Sequence, residues 1–459
     1  MKSFFPKPLL RERLVRFFTP ARTMMTSFAG IILLGTLLLM LPLSTTGPRL
    51  SFVDALFTAT SATCVTGLIV VDTATAFTPF GQTVILILIQ LGGLGIMTFS
   101  TFFLYLLGYR LSLGTREVLQ ETFTHRPTRH FWPLMKTVFL ATISVEGIGA
   151  LLLWLRFAAD MPVGKALYMG IFHSVSAFCN AGFALFSDSF MGYQGDPFIN
   201  LILMGLIVLG GLGFVVIFDV IRHLRNPRRP ISLHSRLVLW TSGSLIIGGA
   251  LLIFILEFNN ALKGLPWPTR LWGALFQSVT TRTAGFNTLD ISSMTNATLF
   301  LMILLMIVGA SPGSCGGGIK TTTFAVLLSL IRARFQNREE VDIFHRRMPT
   351  RVVSKAISIS FFSLVLINLG TILLLITELA QISHQHSRGM FLELLFEVSS
   401  AFATVGLSTG VTGKLSATGR LIITALMYIG RLGPLTVALA VGSKEQVHYK
   451  QAEEEVQVG

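Results

Sequence analysis

The chain has 459 residues, 52% hydrophobic and only 13% charged, about half the charged fraction of an ordinary water-soluble domain. With 37 Phe, 42 Gly and a mean hydropathy of +0.70, it carries more apolar surface than one water-facing core can hide, which excludes a soluble enzyme and points to a polytopic membrane protein. The net charge of +14 does not signal a nucleic-acid partner, because the basic residues gather in short connectors between apolar runs and act as topology signals.

In chain order, apolar runs long enough to cross a bilayer of about 30 Å fall at approximately 24–43, 82–107, 137–157, 198–221, 237–257, 297–331, 356–376 and 420–441. The basic N-terminal segment leads into the first with no small-residue cleavage site, so that run reads as a retained helix. Inside each pair lies a semi-apolar segment, at about 52–63, 166–178, 271–281 and 391–402, too short to span and suited to a re-entrant helix. Lys and Arg number six before the first run, five in 108–136, five in 222–236, seven in 332–355 and two after residue 443, which assigns those connectors and both termini to the cytoplasm. The expected fold is all-α, with four span/re-entrant pore helix/span repeats in pseudo-fourfold arrangement around a central pore in the cell membrane. Its parts are a cytoplasmic N-terminus (1–22), repeats at 23–110, 135–223, 236–332 and 352–442, the third with a broken second helix, and a cytoplasmic tail (443–459).

The four short segments end alike: Thr63-Cys64-Val65-Thr66-Gly67, Cys179-Asn180-Ala181-Gly182, Arg282-Thr283-Ala284-Gly285 and Ala403-Thr404-Val405-Gly406, each glycine followed by Leu or Phe. A Phe stands ten residues before the glycine in three copies (Phe57, Phe172, Phe396) and nine before it in the third (Phe276), and glycine recurs 24 to 28 residues downstream at Gly92, Gly210, Gly309 and Gly430. One such glycine reads as a helix C-cap. Four in phase read as loops converging on an axis with their carbonyls turned inward, the kind of ring that replaces an ion's hydration shell. The negative ends of the preceding helices favour a cation there, so the expected substrate is a monovalent cation.

The sixth run contains Gly309-Ala310-Ser311-Pro312-Gly313-Ser314-Cys315-Gly316-Gly317-Gly318-Ile319-Lys320. Each interior Gly costs a helix about 1 kcal/mol and a Pro about 3, so the helix must break, and such backbone is tolerated at membrane depth where it borders protein or a water path. It reads as a small-residue gate beneath the ring. Gly313 to Gly318 imitates a phosphate loop, but Ile319 intervenes before Lys320 and no strand precedes it, so no nucleotide is expected on this chain. Arg431 lies inside the eighth run, where an isolated cation costs at least about 2.5 kcal/mol. It is expected to face the cavity as a barrier to cations bonded to carbonyls of 311–318; the alternative is packing beside Gly430 and Gly433.

Gly92-Gly93-Leu94-Gly95 and Gly210-Gly211-Leu212-Gly213 read as close helix contacts. Glu146 and Glu257 read as structural, with partners the sequence does not name, as do His173 and Glu397 in corresponding short helices. Asp72, Asp188, Asp196 and Asp290 border the loops outside, where solvation is their simplest role. Cys64, Cys179 and Cys315 have neither disulfide nor zinc spacing, and no Ser/His/Asp set or paired carboxylates suggest hydrolysis.

The stretch from Ser51 to Gly95, with TSATCVTGLIVVDT and IQLGGLG, together with SAFCNAGF, TTRTAGFN, SAFATVGLSTG and IGRLGPLT, resembles the membrane subunit of Ktr potassium uptake systems, in the Trk/Ktr/HKT superfamily, from about residue 20 to 441. The resemblance implies potassium as the transported ion, a homodimer in membrane lipid, a cytoplasmic ring of nucleotide-binding regulatory subunits, and uptake often stimulated by sodium. It also implies that residues 309–320 are an intramembrane gating loop. Gly67, Gly182, Gly285 and Gly406 fit the potassium pattern, since sodium-preferring members carry Ser at the first. The flanking side chains differ between copies, so the alternative is a less selective potassium/sodium transporter of the same superfamily.

Overall fold

The computed structural model describes residues 20–95, 131–380, 382–383 and 385–441. Most of the expected N-terminal segment, residues 96–130 and the tail from 442 lie outside the described residues. A three-part unit recurs along the chain. The first comprises α1 (Pro20–Leu39), α2 (Phe52–Thr63) and α3 (Pro79–Gly93). The second comprises α4 (Phe131–Phe157), α5 (Val163–Phe178), α6 (Pro197–Leu212) and α7 (Phe214–Arg225). The third has α8 (Leu233–Glu257), α9 (Trp267–Thr280), α10 (Asn296–Ile307) and α11 (Thr321–Phe335). After a two-stranded hairpin, β1 (Asp342–Ile343) antiparallel to β2 (Arg346–Arg347), the fourth has α12 (Thr350–Leu379), α13 (Met390–Phe402), α14 (Ala417–Leu432) and α15 (Pro434–Val441).

Among the described residues, four helices are long and apolar enough to cross a membrane: Arg22–Leu39, Lys136–Phe157, Leu233–Glu257 and Thr350–Leu379. These open the four units, and they turn residues such as Leu34, Ile148, Ile247 and Phe361 outward, as a helix facing lipid does. The short helices fall where the sequence places them, although α5 and α9 begin earlier than expected, at Val163 and Trp267, each just after a proline. Phe57, Phe172, Phe276 and Phe396, the phased aromatics, are all fully buried and root these helices in the core.

The second helices correct the expectation of eight full spans broken only in the sixth. α10 and α14 have 12 and 16 residues, which at 1.5 Å each fall short of a bilayer of about 30 Å. α6 and α7 meet at 103°. The reason is a glycine in left-handed backbone at the same place in three units: Gly95 (φ 81°), Gly213 (φ 88°) and Gly433 (φ 86°). No right-handed helix continues through that conformation, and after Gly433 the chain restarts on Pro434, which suits a first helical position. In the third unit, residues 308–320 separate α10 from α11.

The second helix of each unit packs on the short helix of the next: α3 on α5, α6 on α9, α10 on α13, and α14 back on α2. Arg420 Nη1 lies 2.5 Å from Asp54 Oδ1 at the contact that closes the circle. Within each unit a polar staple joins the end of the first helix to the start of the second, with three different chemistries among the four. Thr78 Oγ1 donates to the Leu43 carbonyl at 2.6 Å. Arg156 meets Asp196, the N-cap of α6, at 2.6 Å. Glu257 accepts from the Thr295 N–H and hydroxyl, both at 2.9 Å, and Glu378 accepts from the Ser416 hydroxyl at 2.6 Å. The partners of Glu257 that the sequence does not name are therefore Thr295, the N-cap of α10, and the nearby Asn260 and Ala261. Replacing Glu257 by Ala leaves buried donors unmet and is expected to cost about 1–3 kcal/mol, read as a lower melting midpoint of detergent-solubilised protein, with a smaller loss for Glu257→Gln.

Candidate functional site

The four short helices end at Cys64, Cys179, Thr281 and Ala403, each in right-handed backbone. The chain then reverses hand at Val65 (φ 56°), Asn180 (φ 60°), Thr283 (φ 70°) and Thr404 (φ 53°), and again two residues later at Gly67 (φ 95°), Gly182 (φ 71°), Gly285 (φ 80°) and Gly406 (φ 90°). A left-handed conformation costs a non-glycine residue about 1–2 kcal/mol, so the surrounding packing holds the same strain in four places. The third copy has one residue more between helix end and reversal, Arg282. Its buried side chain does not join the other three copies; Nη1 donates to the Val308 carbonyl at 3.1 Å.

The glycines close a ring. A Cβ on Gly67 would lie 2.5 Å from the Ala181 carbonyl oxygen, one on Gly182 would lie 2.8 Å from that of Ala284, and one on Gly285 would lie 2.6 Å from that of Val405. A Cβ on Gly406 would collide with the carbonyl of Thr66, returning to the first loop. Each glycine thus faces the main-chain oxygen of the next copy. Among the described residues no three His, Cys, Asp or Glu side chains converge as metal ligands. The Oγ1 atoms of Thr63, Thr66 and Thr404 are buried beside it with no partner among the described residues.

A hydroxyl on each short helix pins the loop, a residue set that the sequence reading missed. Ser61 Oγ accepts from the Gly67 N–H at 3.1 Å, and Ser400 Oγ accepts from the Gly406 N–H at 3.0 Å. Ser176 Oγ donates to the Phe183 carbonyl at 2.8 Å, and Thr280 Oγ1 to that of Phe286 at 2.6 Å. Aligning the four copies on their phased Phe, four residues earlier in each, would have exposed this column. Glycines of the second helices let those helices reach the loops: a Cβ on Gly92, Gly210 or Gly430 would strike the carbonyl of Thr63, Phe178 or Phe402.

Residues 308–320 fold back on themselves under the ring. Ala310 N donates to the Gly317 carbonyl at 3.2 Å and Ile319 N to that of Ile307 at 3.1 Å. A Cβ on Gly316 or Gly317 would strike Thr283 or Thr404, the reversed residues of loops three and four. The segment is tied to the second unit by Ser311 N to Gly211 O (3.0 Å), Cys315 N to Gly210 O (3.2 Å) and Phe214 N to Gly313 O (3.2 Å). Within it, Ser314 Oγ donates to the Ser311 carbonyl at 2.6 Å, while Pro312, Gly313 and Gly318 lie at its turns. Lys320 Nζ donates to the Gly316 carbonyl at 2.7 Å. Arg431 donates to the carbonyls of Cys315 and Gly92, spanning the segment and α3. Three cationic side chains, Arg282, Lys320 and Arg431, therefore hold carbonyls in or beside the break.

On the other face of the ring the four glycines floor a cavity of about 190 Å³ that Asp72 and Asp188 also line. Asp196 and Asp290 are occupied as caps of α6 and of the turn at 291–293. Glu146 accepts from Gln90 Nε2 at 3.2 Å and faces the Cys179 thiol.

The family model described as TrkH, cation transport protein, matches residues 11–450. The chain is 42% identical to the Ktr system potassium uptake protein B of Bacillus subtilis over 98% of its own length and 100% of that protein. It is 39% identical to the Ktr system potassium uptake protein B of Vibrio alginolyticus over 95% of its length and 94% of that protein. In fold it is similar to the crystal structure of the potassium transporter TrkH from Vibrio parahaemolyticus, with a TM-score of 0.69 and 20% identity over 91% of this chain and 85% of that one. Because Arg431 clamps the carbonyl of Cys315, Arg431→Ala in a background lacking Cys64 and Cys179 is expected to raise the rate of maleimide labelling at Cys315 roughly tenfold, the effect of easing a local opening by about 1.4 kcal/mol. An unchanged labelling rate would mean that the clamp does not hold the segment.

Proposed function

The chain belongs to the TrkH family of cation transport proteins, and from that premise we propose that it is the ion-translocating subunit of a Ktr-type potassium uptake system. The ion passes through a pseudo-fourfold ring of main-chain oxygens supplied by residues 63–67, 179–182, 282–285 and 404–406. One observation carries this reading: each of the four glycines faces the carbonyl of the next loop and the sequence of contacts returns to its start. Such a ring exchanges an ion's water for protein oxygens. The negative ends of α2, α5, α9 and α13 add to the attraction, and the membrane potential supplies about 2.3 kcal/mol per charge per 100 mV for inward movement.

Residues 309–318 act as the gate, held shut beneath the ring by Lys320 and Arg431, and the fixed charge of Arg431 raises the barrier to a passing cation. Opening requires those carbonyls to be released together. The names of the two relatives, both proteins of Ktr systems, support association with further components of such a system. The family resemblance implies that these are a cytoplasmic nucleotide-binding ring, that the chain is a homodimer and that sodium stimulates uptake, and the Lys and Arg of the connectors put those connectors on the cytoplasmic side. Unequal loops favour a second reading, weaker discrimination between potassium and sodium, because Arg282 lengthens one quarter of the ring.

Gly67→Ser and Gly406→Ser put a side chain against a neighbouring carbonyl and are expected to lower potassium preference over sodium roughly tenfold, about 1.4 kcal/mol, measured by ion competition for rubidium uptake in cells lacking their own potassium systems. Unaltered competition in both variants at normal surface amounts excludes the ring as the filter. Deleting residues 313–318 is expected to raise flux several-fold and to blunt control by a co-expressed regulatory subunit; uptake that is normal and still regulated excludes a gate there.

A further inference from the structure

One turn before the hydroxyl that pins each loop lies a second buried polar residue: Thr58, His173, Gln277 and Glu397, each directly after the phased Phe. Residues three apart share a helix face, so the short helix offers two rungs to the chain leaving the ring. In the second copy His173 Nδ1 faces the Met169 carbonyl at 2.8 Å and so carries the proton, leaving Nε2 to accept from the Leu185 N–H at 3.0 Å. In the third, Gln277 Nε2 donates to the Leu289 carbonyl at 3.3 Å. In the first, Thr58 is too short and bonds back to its own helix at Asp54; there Asp72 accepts from Ser187 at 2.6 Å and ties the outgoing chain to the second copy.

The fourth copy differs in charge. Glu397 Oε1 accepts from the Ser408 hydroxyl at 2.6 Å, the Thr409 N–H at 3.0 Å and the Thr409 hydroxyl at 3.3 Å, while Oε2 accepts from Thr412 Oγ1 at 2.5 Å. One backbone N–H and three hydroxyls surround the carboxylate and can together donate four hydrogen bonds to its anionic form, and among the described residues no basic side chain is paired with it. Ser408 and Gly406 both line the cavity above the ring, so the carboxylate sits one hydroxyl behind that wall. In a medium of low dielectric a charge so placed acts on an ion in the ring with little screening.

We propose that Glu397 is a positioning residue of the ion ring: its carboxylate fixes the chain beyond Gly406 and supplies the negative potential on which potassium affinity at the outer face depends. This rests on the ring proposed above. In the first three copies the same position makes a neutral brace or none, which makes the fourth quarter the one that biases the ring toward a cation.

The test is potassium and rubidium uptake, with sodium competition, in cells lacking their own potassium systems and co-expressing a regulatory subunit. Glu397→Gln preserves shape and loses charge; it is expected to raise KM for potassium roughly tenfold while the maximal rate stays within about twofold, and Glu397→Asp is expected to restore part of the affinity. A residue that only supports the fold would instead lower surface amount and maximal rate and leave KM and sodium competition alone, and that result overturns the proposal. If Glu397→Gln does not reach the membrane, Ser408→Ala and Thr412→Val, which each remove one donor from the carboxylate, carry the same readout, with a KM rise expected and an unchanged KM overturning it. Gly406→Ser is measured in parallel: no change in competition there defeats the ring itself, whereas a change there with none in Glu397→Gln defeats only the role of Glu397.

Discussion

The close approach of four backbones around one point is the constraint from which the rest of the molecule follows. Gly67, Gly182, Gly285 and Gly406 each face a carbonyl oxygen of the neighbouring loop at a separation that excludes any side chain. That geometry demands left-handed backbone at the glycines and at the residues two before them. It also demands short helices that end at the loops, each rooted by a fully buried Phe. The long helices at the start of each unit supply the lipid-facing wall; the second helices, shortened and broken, lean on the next unit and close the circle through Arg420 and Asp54.

Strained loops of this kind persist only when their surroundings over-determine them. Here the support comes from the short helices through two polar rungs, and from the second helices through Gly92, Gly210 and Gly430, which lie flat against the carbonyls at the helix ends. The four copies reach the same backbone with different side chains: a staple is a hydroxyl on a carbonyl in one unit, an arginine–aspartate pair in another, and a carboxylate on a helix cap in the remaining two. What recurs is the path of the chain, and its chemistry varies around it.

Much of this plan was legible in the residues. The phase of Phe and Gly located all four short helices and their loops, because only glycine tolerates both the conformation and the crowding, and the run from Gly309 to Gly318 announced its break through composition alone. Other features lay beyond reach for physical reasons. A single glycine such as Gly213 or Gly433 inside an apolar run reads equally as a packing contact or a break, and only its dihedral decides. The hydroxyls of Ser61, Ser176, Thr280 and Ser400 stand out from the many other Ser and Thr only when the copies are aligned on the phased Phe. Thr295, which Glu257 joins to the first helix of its unit, is 38 residues away, and the nine-residue phase of the third copy gave no hint that the displaced residue, Arg282, would send its side chain toward Val308.

The elbow at Gly213 has a mechanical corollary. Three main-chain hydrogen bonds join that corner to residues 311–315, from Ser311, Cys315 and Phe214, each worth about 1 kcal/mol net. α7 leaves the corner at 103° to α6, so it forms a lever whose fulcrum is bonded directly to residues 311–315. A torque on its far end, near Arg222 and Arg225, has only a few kcal/mol of fastening to overcome, which is within the coupling energy that one effector-binding event commonly delivers.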